Sequence, residues 1–205
     1  PGLANFHDRF GLNSSVFVLS AAFSYNFLYN QYIFTISSLC YLVLFIWLLK
    51  QIVFKKGIIG FFSILFIYFF TAQYANDISS PGTDLLPNII VGYVLLSILF
   101  DGEILTKKTH LFIILSLFCI TLKLSSFPII LIGLWAVYLR NKKFFKALFQ
   151  FSGFGCLLIL PWMTKNVMLT GYIIYPMAEV DLFNFDWEVS KNSVLDIKKW
   201  ITSWC

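Results

Sequence analysis

Charge is scarce in this chain. Asp, Glu, Lys and Arg make up 12% of its 205 residues, about half the share found in soluble domains. Ten carboxylates and two histidines fall into no metal-ligand spacing, so no metal and no cofactor is expected. The four cysteines form no disulfide framework. Cys40, Cys119 and Cys156 lie inside apolar runs and read as small buried hydrophobes. There is no P-loop, dinucleotide fingerprint, zinc cluster or nucleophile elbow, no internal repeat, no low-complexity tract and no visible signal peptide. These absences exclude a soluble enzyme, a nucleic-acid binder and a disordered tail.

What fills the chain instead is apolar surface. Apolar residues account for 59% of it and aromatics for 20%, with 24 Phe, 10 Tyr and 6 Trp; the mean hydropathy is +0.81. One water-soluble core cannot hide this much, which leaves an all-α, polytopic membrane protein. The runs are continuous rather than alternating, which argues against a membrane β-barrel. The first residue is Pro1 and the last, Cys205, falls inside a helical pattern, so the expectation is an internal fragment of a longer chain.

The apolar runs are 31–49, 57–73, 86–100, 111–122, 127–139 and 147–163, giving about six transmembrane helices, of which the first, second and last come near the ~20 residues a bilayer needs. The stretch 111–139 reads as one long helix or as a short hairpin broken around Lys123–Pro128. Parity decides. Lys50, Lys55 and Lys56 form one basic cluster, and Arg140, Lys142, Lys143 and Lys146 another. Only the hairpin puts both on the cytoplasmic side, as the positive-inside rule requires. Pro128 supports a break at Phe127. Two short arms leave the tip below the outer surface, which predicts a polar cavity open to that face. The net charge of +5 is thus a signal of topology, and the partner it implies is the bilayer, not nucleic acid.

The domain reading follows: 1–30 as an outer-face juxtamembrane segment with a juxtamembrane or re-entrant helix over 11–29, 31–163 as the helical bundle, and 164–205 as an outer-face loop with an amphipathic helix. Ser193 and Asp196 have capping-box-like spacing. Val194, Ile197, Trp200, Ile201 and Trp204 share a stripe suited either to the membrane interface or to packing on the rest of the protein. External segments hold Asp8, Asp77, Asp84, Glu179, Asp181, Asp186 and Glu188, seven of the ten carboxylates. Chemistry, if present, belongs on that face.

The candidate residues are few. Lys123, between apolar runs, is costly at a helix centre; it reads as a cation facing a phosphate or as a snorkelling lysine. His7, Asp8 and Arg9 offer a base and a phosphate-holding cation, or an ordinary solvated loop. Asp77 and Asp84 flank a turn and read as loop carboxylates. Pro161–Asn166, followed by Gly171–Pro176, gathers Lys165, Asn166 and Tyr175 at the outer interface, as a substrate site or as an aromatic belt.

These last residues carry a resemblance. A span ending in Pro161-Trp162, then Lys165-Asn166, then Gly171 to Tyr175-Pro176, resembles the outer-face pattern of the C-type (GT-C) glycosyltransferase superfamily, integral membrane enzymes that use polyprenyl-phosphate sugars. The 121–128 segment, TLKLSSFP, is similar to a short helix pair with a central lysine in that superfamily. Residues 1–21, 161–187 and 198–204 resemble more narrowly a bacterial multi-pass inner-membrane family of uncharacterised activity. The resemblance implies a membrane glycosyltransferase acting on the outer face of the bacterial inner membrane. It implies substrate binding by His7, Arg9, Lys123, Lys165, Asn166 and Tyr175. Asp8 is then the catalytic candidate within this chain, with the main acid upstream of it. Lys165 stands where Arg is common and gives up the bidentate fork. The alternatives are a transporter or flippase of lipid-linked saccharides, a polysaccharide polymerase, for which the external segments are poor in Arg, and a non-catalytic membrane subunit.

Overall fold

The computed structural model describes residues 1–6, 12, 14–22, 35–55, 57–76 and 83–203. Among these the regular structure is entirely helical: α1 (Ser15–Ala22), α2 (Thr35–Phe54), α3 (Ile58–Tyr74), α4 (Leu85–Phe100), α5 (Ile104–Lys107), α6 (Thr109–Leu122), α7 (Ile130–Asn141), α8 (Phe144–Thr170) and α9 (Lys191–Thr202), with short 3₁₀ segments between. Among the described residues three stretches are long and apolar enough to cross a membrane: Ile36–Phe54, Leu124–Asn141 and Phe144–Thr170. Only 11% of the best window in α8 is buried. An apolar helix so bare of protein neighbours is stable in lipid and not in water. The runs expected at 57–73, 86–100 and 111–122 form the shorter apolar helices α3, α4 and α6.

Two compact units make up the chain, Ser14–Phe154 and a second containing Pro1–Asn13 with Gly155–Cys205, so the division falls inside α8.

In the first unit, α6 and α7 form an antiparallel hairpin. Arg140 Nη1 donates to His110 Nε2 at 2.9 Å at one end, and Gly133 faces Ser116 midway. The break lies at Lys123, whose backbone is extended (φ −151°, ψ 120°), and not at Phe127. Residues Leu124–Ile129 form a 3₁₀ segment with Pro128 inside it, running directly into α7. Pro128 sits near the start of that helix, where a missing N–H costs little, so the second arm is longer than a 13-residue helix.

The same unit has a basic end. Lys55 Nζ reaches the Phe100 carbonyl at 3.5 Å, which brings the last residues of α2 and α4 together. The α4–α6 connection with Lys107 and Lys108, and the α7–α8 turn with Lys142, Lys143 and Lys146, fall at this end by chain continuity and by the Arg140–His110 bond. The two expected clusters therefore do share one end.

α8 corrects the expectation that Pro161 closes the last span. The helix runs on through Pro161 to Thr170. Proline removes one backbone bond, and 27 residues of apolar helix, about 40 Å, carry that loss; spanning helices tolerate it. Lys165 and Asn166 are thus helical residues. α9 also starts earlier than expected: Ser190, not Ser193, is the N-cap, accepting the Ser193 amide at 3.4 Å. Ser193 takes the third helical position, and its hydroxyl pairs with that of Ser190 at 2.8 Å. Val194 is fully buried and Ile197 packs beside it, while Trp200 stays half-exposed. α9 therefore packs on its own unit through half of the expected stripe. Trp204, Lys56 and most of the expected 11–29 helix lie outside the described residues or beyond α1.

Close approach decides which glycines matter. A methyl group at Gly133 would lie 2.9 Å from Phe151 Cε2 and 3.0 Å from Ser116 Cβ, whereas Gly153 has nothing within 4 Å. Gly133→Leu is expected to lower thermal stability in detergent by about 1–3 kcal/mol through overpacking, and Gly153→Ala to raise it by about 0.5–1 kcal/mol through helix propensity.

Candidate functional site

Polar side chains in the first unit gather opposite its basic end. Lys123 leaves the helical path where α6 stops, its own amide bonded to the Cys119 carbonyl at 3.0 Å and its carbonyl taking the Ser126 amide at 3.0 Å. The last-turn carbonyl of Leu122 accepts the Ser14 hydroxyl, which satisfies one of the acceptors a helix end orphans. Lys123 Nζ pairs with Asp84 Oδ1 at 2.7 Å. Asp84 is the N-cap residue of α4 and so faces the favourable end of a helix dipole. Thr83 Oγ1 donates to the same oxygen at 3.3 Å. The pair is half-exposed, 41% for Lys123 and 51% for Asp84, so in water it would be worth about 0–1 kcal/mol.

One turn along α4 from Asp84, Asn88 Nδ2 donates to Tyr74 Oη on α3 at 2.6 Å. One turn back along α3, Thr71 and Tyr41 of α2 share a hydrogen bond at 2.5 Å. Three polar contacts therefore tie α6 to α4, α4 to α3 and α3 to α2. The aromatic rings of Tyr41, Phe70 and Tyr74 follow in series beside them, the first pair stacked at a centroid distance of 6.0 Å and the second tilted at 4.6 Å. Where a polar cavity was expected, these groups are bonded to one another. The groove that opens between α2 and α3, about 610 Å³, is lined by apolar residues such as Phe45, Ile64 and Ile67.

Lys165, Asn166 and Tyr175 belong to the second unit. Asn166 is buried, its amide donated to the Ile173 carbonyl at 3.2 Å. Thr170 caps the end of α8: its hydroxyl bonds the Asn166 carbonyl at 2.8 Å and accepts the Tyr172 amide at 3.0 Å. The chain turns at Gly171 (φ 88°), where a side chain would strike Glu188 at 2.8 Å. The loop then returns to the helix end, with the Val189 amide on the Thr170 carbonyl at 3.0 Å and Trp187 Nε1 on Val167 at 3.3 Å. The Gly2 amide reaches the Met168 carbonyl at 2.9 Å, and Asn5 Nδ2 reaches Trp187 at 2.7 Å. Tyr172 and Tyr175 are core residues, with Ala4, Val189 and Val194 around them. Asn166 thus closes a loop, and Lys165 stands half-buried one residue before it.

Two ion pairs fasten this cap. Lys191 Nζ holds Asp181 Oδ2 at 2.9 Å, which raises the Lys191 pKa. The other oxygen, Asp181 Oδ1, is buried without a partner among the described residues. Lys198 bonds Glu179 and holds its carboxyl below the usual range.

Of the expected site residues, His7, Asp8 and Arg9, with Asp77, lie outside the described residues. Lys123 sits in one unit and Lys165, Asn166 and Tyr175 in the other. No group of three or more metal-ligating side chains occurs among the described residues. The residues missed were Asp84, read as a loop carboxylate, and Asn88, Tyr74, Thr71 and Tyr41. A lone Asn one turn into an apolar helix is the same kind of signal as a lone Lys and marks Asn88.

Tyr172 gives the cap a pH signature. Its phenol donates to the Val189 carbonyl at 3.0 Å. Burial first, then the neighbouring Glu188 and Asp181 carboxylates, push its pKa up. A folded-state pKa above the unfolded value stabilises at all pH below about 10 and is lost as pH rises beyond it. Tyr172→Phe is expected to cost about 1 kcal/mol near neutrality. In chemical denaturation of the detergent-solubilised chain, that gap should shrink above about pH 10.

No curated protein and no solved structure matches the chain. A family match covers all of it, residues 1–205, and by that match the chain belongs to the family described as domain of unknown function DUF8201.

Proposed function

We propose that this chain is part of a multi-pass inner-membrane glycosyltransferase that moves a sugar from a polyprenyl-phosphate carrier to an acceptor on the outer face. In this reading α2, α3, α4, the two hairpin arms and α8 make about six crossings. Orientation follows from charge: the end with Lys55, Lys107, Lys108, Arg140, Lys142, Lys143 and Lys146 faces the cytoplasm, which puts Lys123 and Asp84 on the outer side.

The observation that carries the reading is the Lys123–Asp84 pair at the hairpin break. An ammonium at membrane depth, half-exposed and held by one carboxylate, is placed to exchange that partner for the phosphate of a lipid carrier. The resemblance of residues 121–128 and 161–176 to GT-C enzymes adds the reaction class. Chemically, Lys123 would offset the charge that develops on the departing lipid phosphate, and the acid that takes the acceptor proton would come from another part of the protein. A transporter reading fits less well, because the charged side chains of the first unit, among the described residues, collect at its ends rather than along a path through it. A non-catalytic subunit is the second reading, favoured by the mutual pairing of Lys123 with Asp84 and of Asn88 with Tyr74.

The test uses the full-length protein in proteoliposomes with a panel of polyprenyl-phosphate hexoses and of hydroxyl-bearing saccharide acceptors. The wild type should release polyprenyl phosphate. Lys123→Ala should slow that release about 10²-fold, and Lys123→Arg should retain more of it. Equal rates for wild type and Lys123→Ala, or no release by a folded wild type, would sink the proposal.

A further inference from the structure

The α7–α8 turn combines two features found together nowhere else among the described residues of the first unit. It concentrates Arg140, Lys142, Lys143 and Lys146 within seven residues of chain. Lys142 adopts a left-handed conformation (φ 52°) that reverses the chain between the two helices. Among the described residues none of these four cations is in an ion pair; the recorded partner of Arg140 is the His110 ring, at 2.9 Å. Two other cations of this end are held in place. Lys107 is held by Glu103 at 3.0 Å and Asp101 at 3.7 Å, and Lys55 is bonded to the Phe100 carbonyl.

Interleaved with the free cations are large apolar rings facing outward. Phe144 is 63% exposed, Phe145 84% and Phe149 84%. They occupy the first turns of α8, itself long and apolar enough to cross a membrane. A helix of that kind enters the bilayer where it starts, so this turn meets the headgroup layer. Rings then lie toward the acyl chains, and cations without carboxylates lie at the depth of the phosphates.

From this we infer that the α7–α8 turn is a docking site for anionic phospholipid. Arg140, Lys142, Lys143 and Lys146 take the headgroup phosphate, and Phe144, Phe145 and Phe149 line the acyl chains. Charge complementarity names the occupant. Basic residues just beyond a spanning helix attract acidic lipid, and the attraction adds with each cation near the surface. Arginine supplies the planar fork for phosphate oxygens and the lysines supply point charges. The inference does not depend on the proposed transferase reaction, since it concerns the opposite end of the bundle from Lys123.

The experiment is native mass spectrometry of the full protein, purified in detergent and supplied with phosphatidylglycerol or phosphatidylcholine. The wild type should retain phosphatidylglycerol over phosphatidylcholine. The triple variant Lys142→Gln, Lys143→Gln, Lys146→Gln should lose that preference by at least about tenfold. The triple Lys→Arg variant should keep it, which separates lost binding from lost folding. A matched Lys107→Gln, Lys108→Gln variant should also keep it. Unchanged retention in the triple Gln variant would overturn the site, as would equal retention of both lipids by the wild type. So would displacement of the lipid by millimolar inorganic phosphate, which would mark a general anion patch. Loss of a co-purifying protein partner with no change in lipid would assign the turn to protein binding and overturn the inference equally.

Discussion

Backbone amides in hydrocarbon have no water to bond, and the rest of this structure depends on that constraint. It makes every described element helical, and it makes any interruption a place where the released groups must find partners. The break at Lys123 meets the demand locally. The Lys123 amide stays on α6, Ser126 caps the Lys123 carbonyl, and Ser14 supplies a hydroxyl to the Leu122 carbonyl. The side chain that the break exposes is an ammonium, and Asp84 neutralises it. An interruption between two apolar helices thereby becomes a place where a charge can be kept.

Polarity in the chain is of three kinds. The cap of the second unit turns its amides and hydroxyls inward and uses them to fold a loop back onto the end of α8. The polar ladder of the first unit, opposite its basic end, joins helix to helix through pairs that leave one edge half-exposed. The basic end is the reverse: its cations at the α7–α8 turn have no internal counterpart and look outward. Paired polar groups hold elements together, whereas unpaired ones define what the surface attracts.

Much of the architecture could be read from composition and run length. The six apolar runs, the hairpin and the common end of the two basic clusters depend on averages over many residues, and such averages survive local detail. Single residues are weaker guides. Pro161 suggests a helix end, yet the length of apolar helix around it outweighs a single lost donor. Pro128 suggests a break, yet it sits near the start of α7, where a missing N–H costs little. The acid three residues after Ser193 suggests a cap there, while Ser190, one turn earlier, has the capping backbone and accepts the Ser193 amide. The site was less legible. Lys123 stood out by cost, but its partner Asp84 lies 39 residues away, and no local pattern connects the two. Asn166 was visible as a polar residue at the interface, yet whether it faced a ligand or a carbonyl of its own loop depended on the turn at Gly171.

The ladder of polar contacts also has an order in time. If the proposed multi-pass arrangement holds, its helices enter the membrane one after another as the chain is made. Tyr41 enters with α2 and waits for Thr71 on α3. Tyr74, at the end of α3, waits for Asn88, which arrives fourteen residues later on the next helix. Asp84 is in place before α6 is synthesised, so Lys123, the costliest of these residues to insert, is the last to enter and meets a counterion already waiting. The ladder closes from the N-terminal side, and each rung is half-built before its more demanding half emerges. Under that arrangement, biogenesis of the bundle is sensitive to the order of its helices. Moving α6 ahead of α4 would leave the contact list unchanged while asking a bare ammonium to enter the membrane alone.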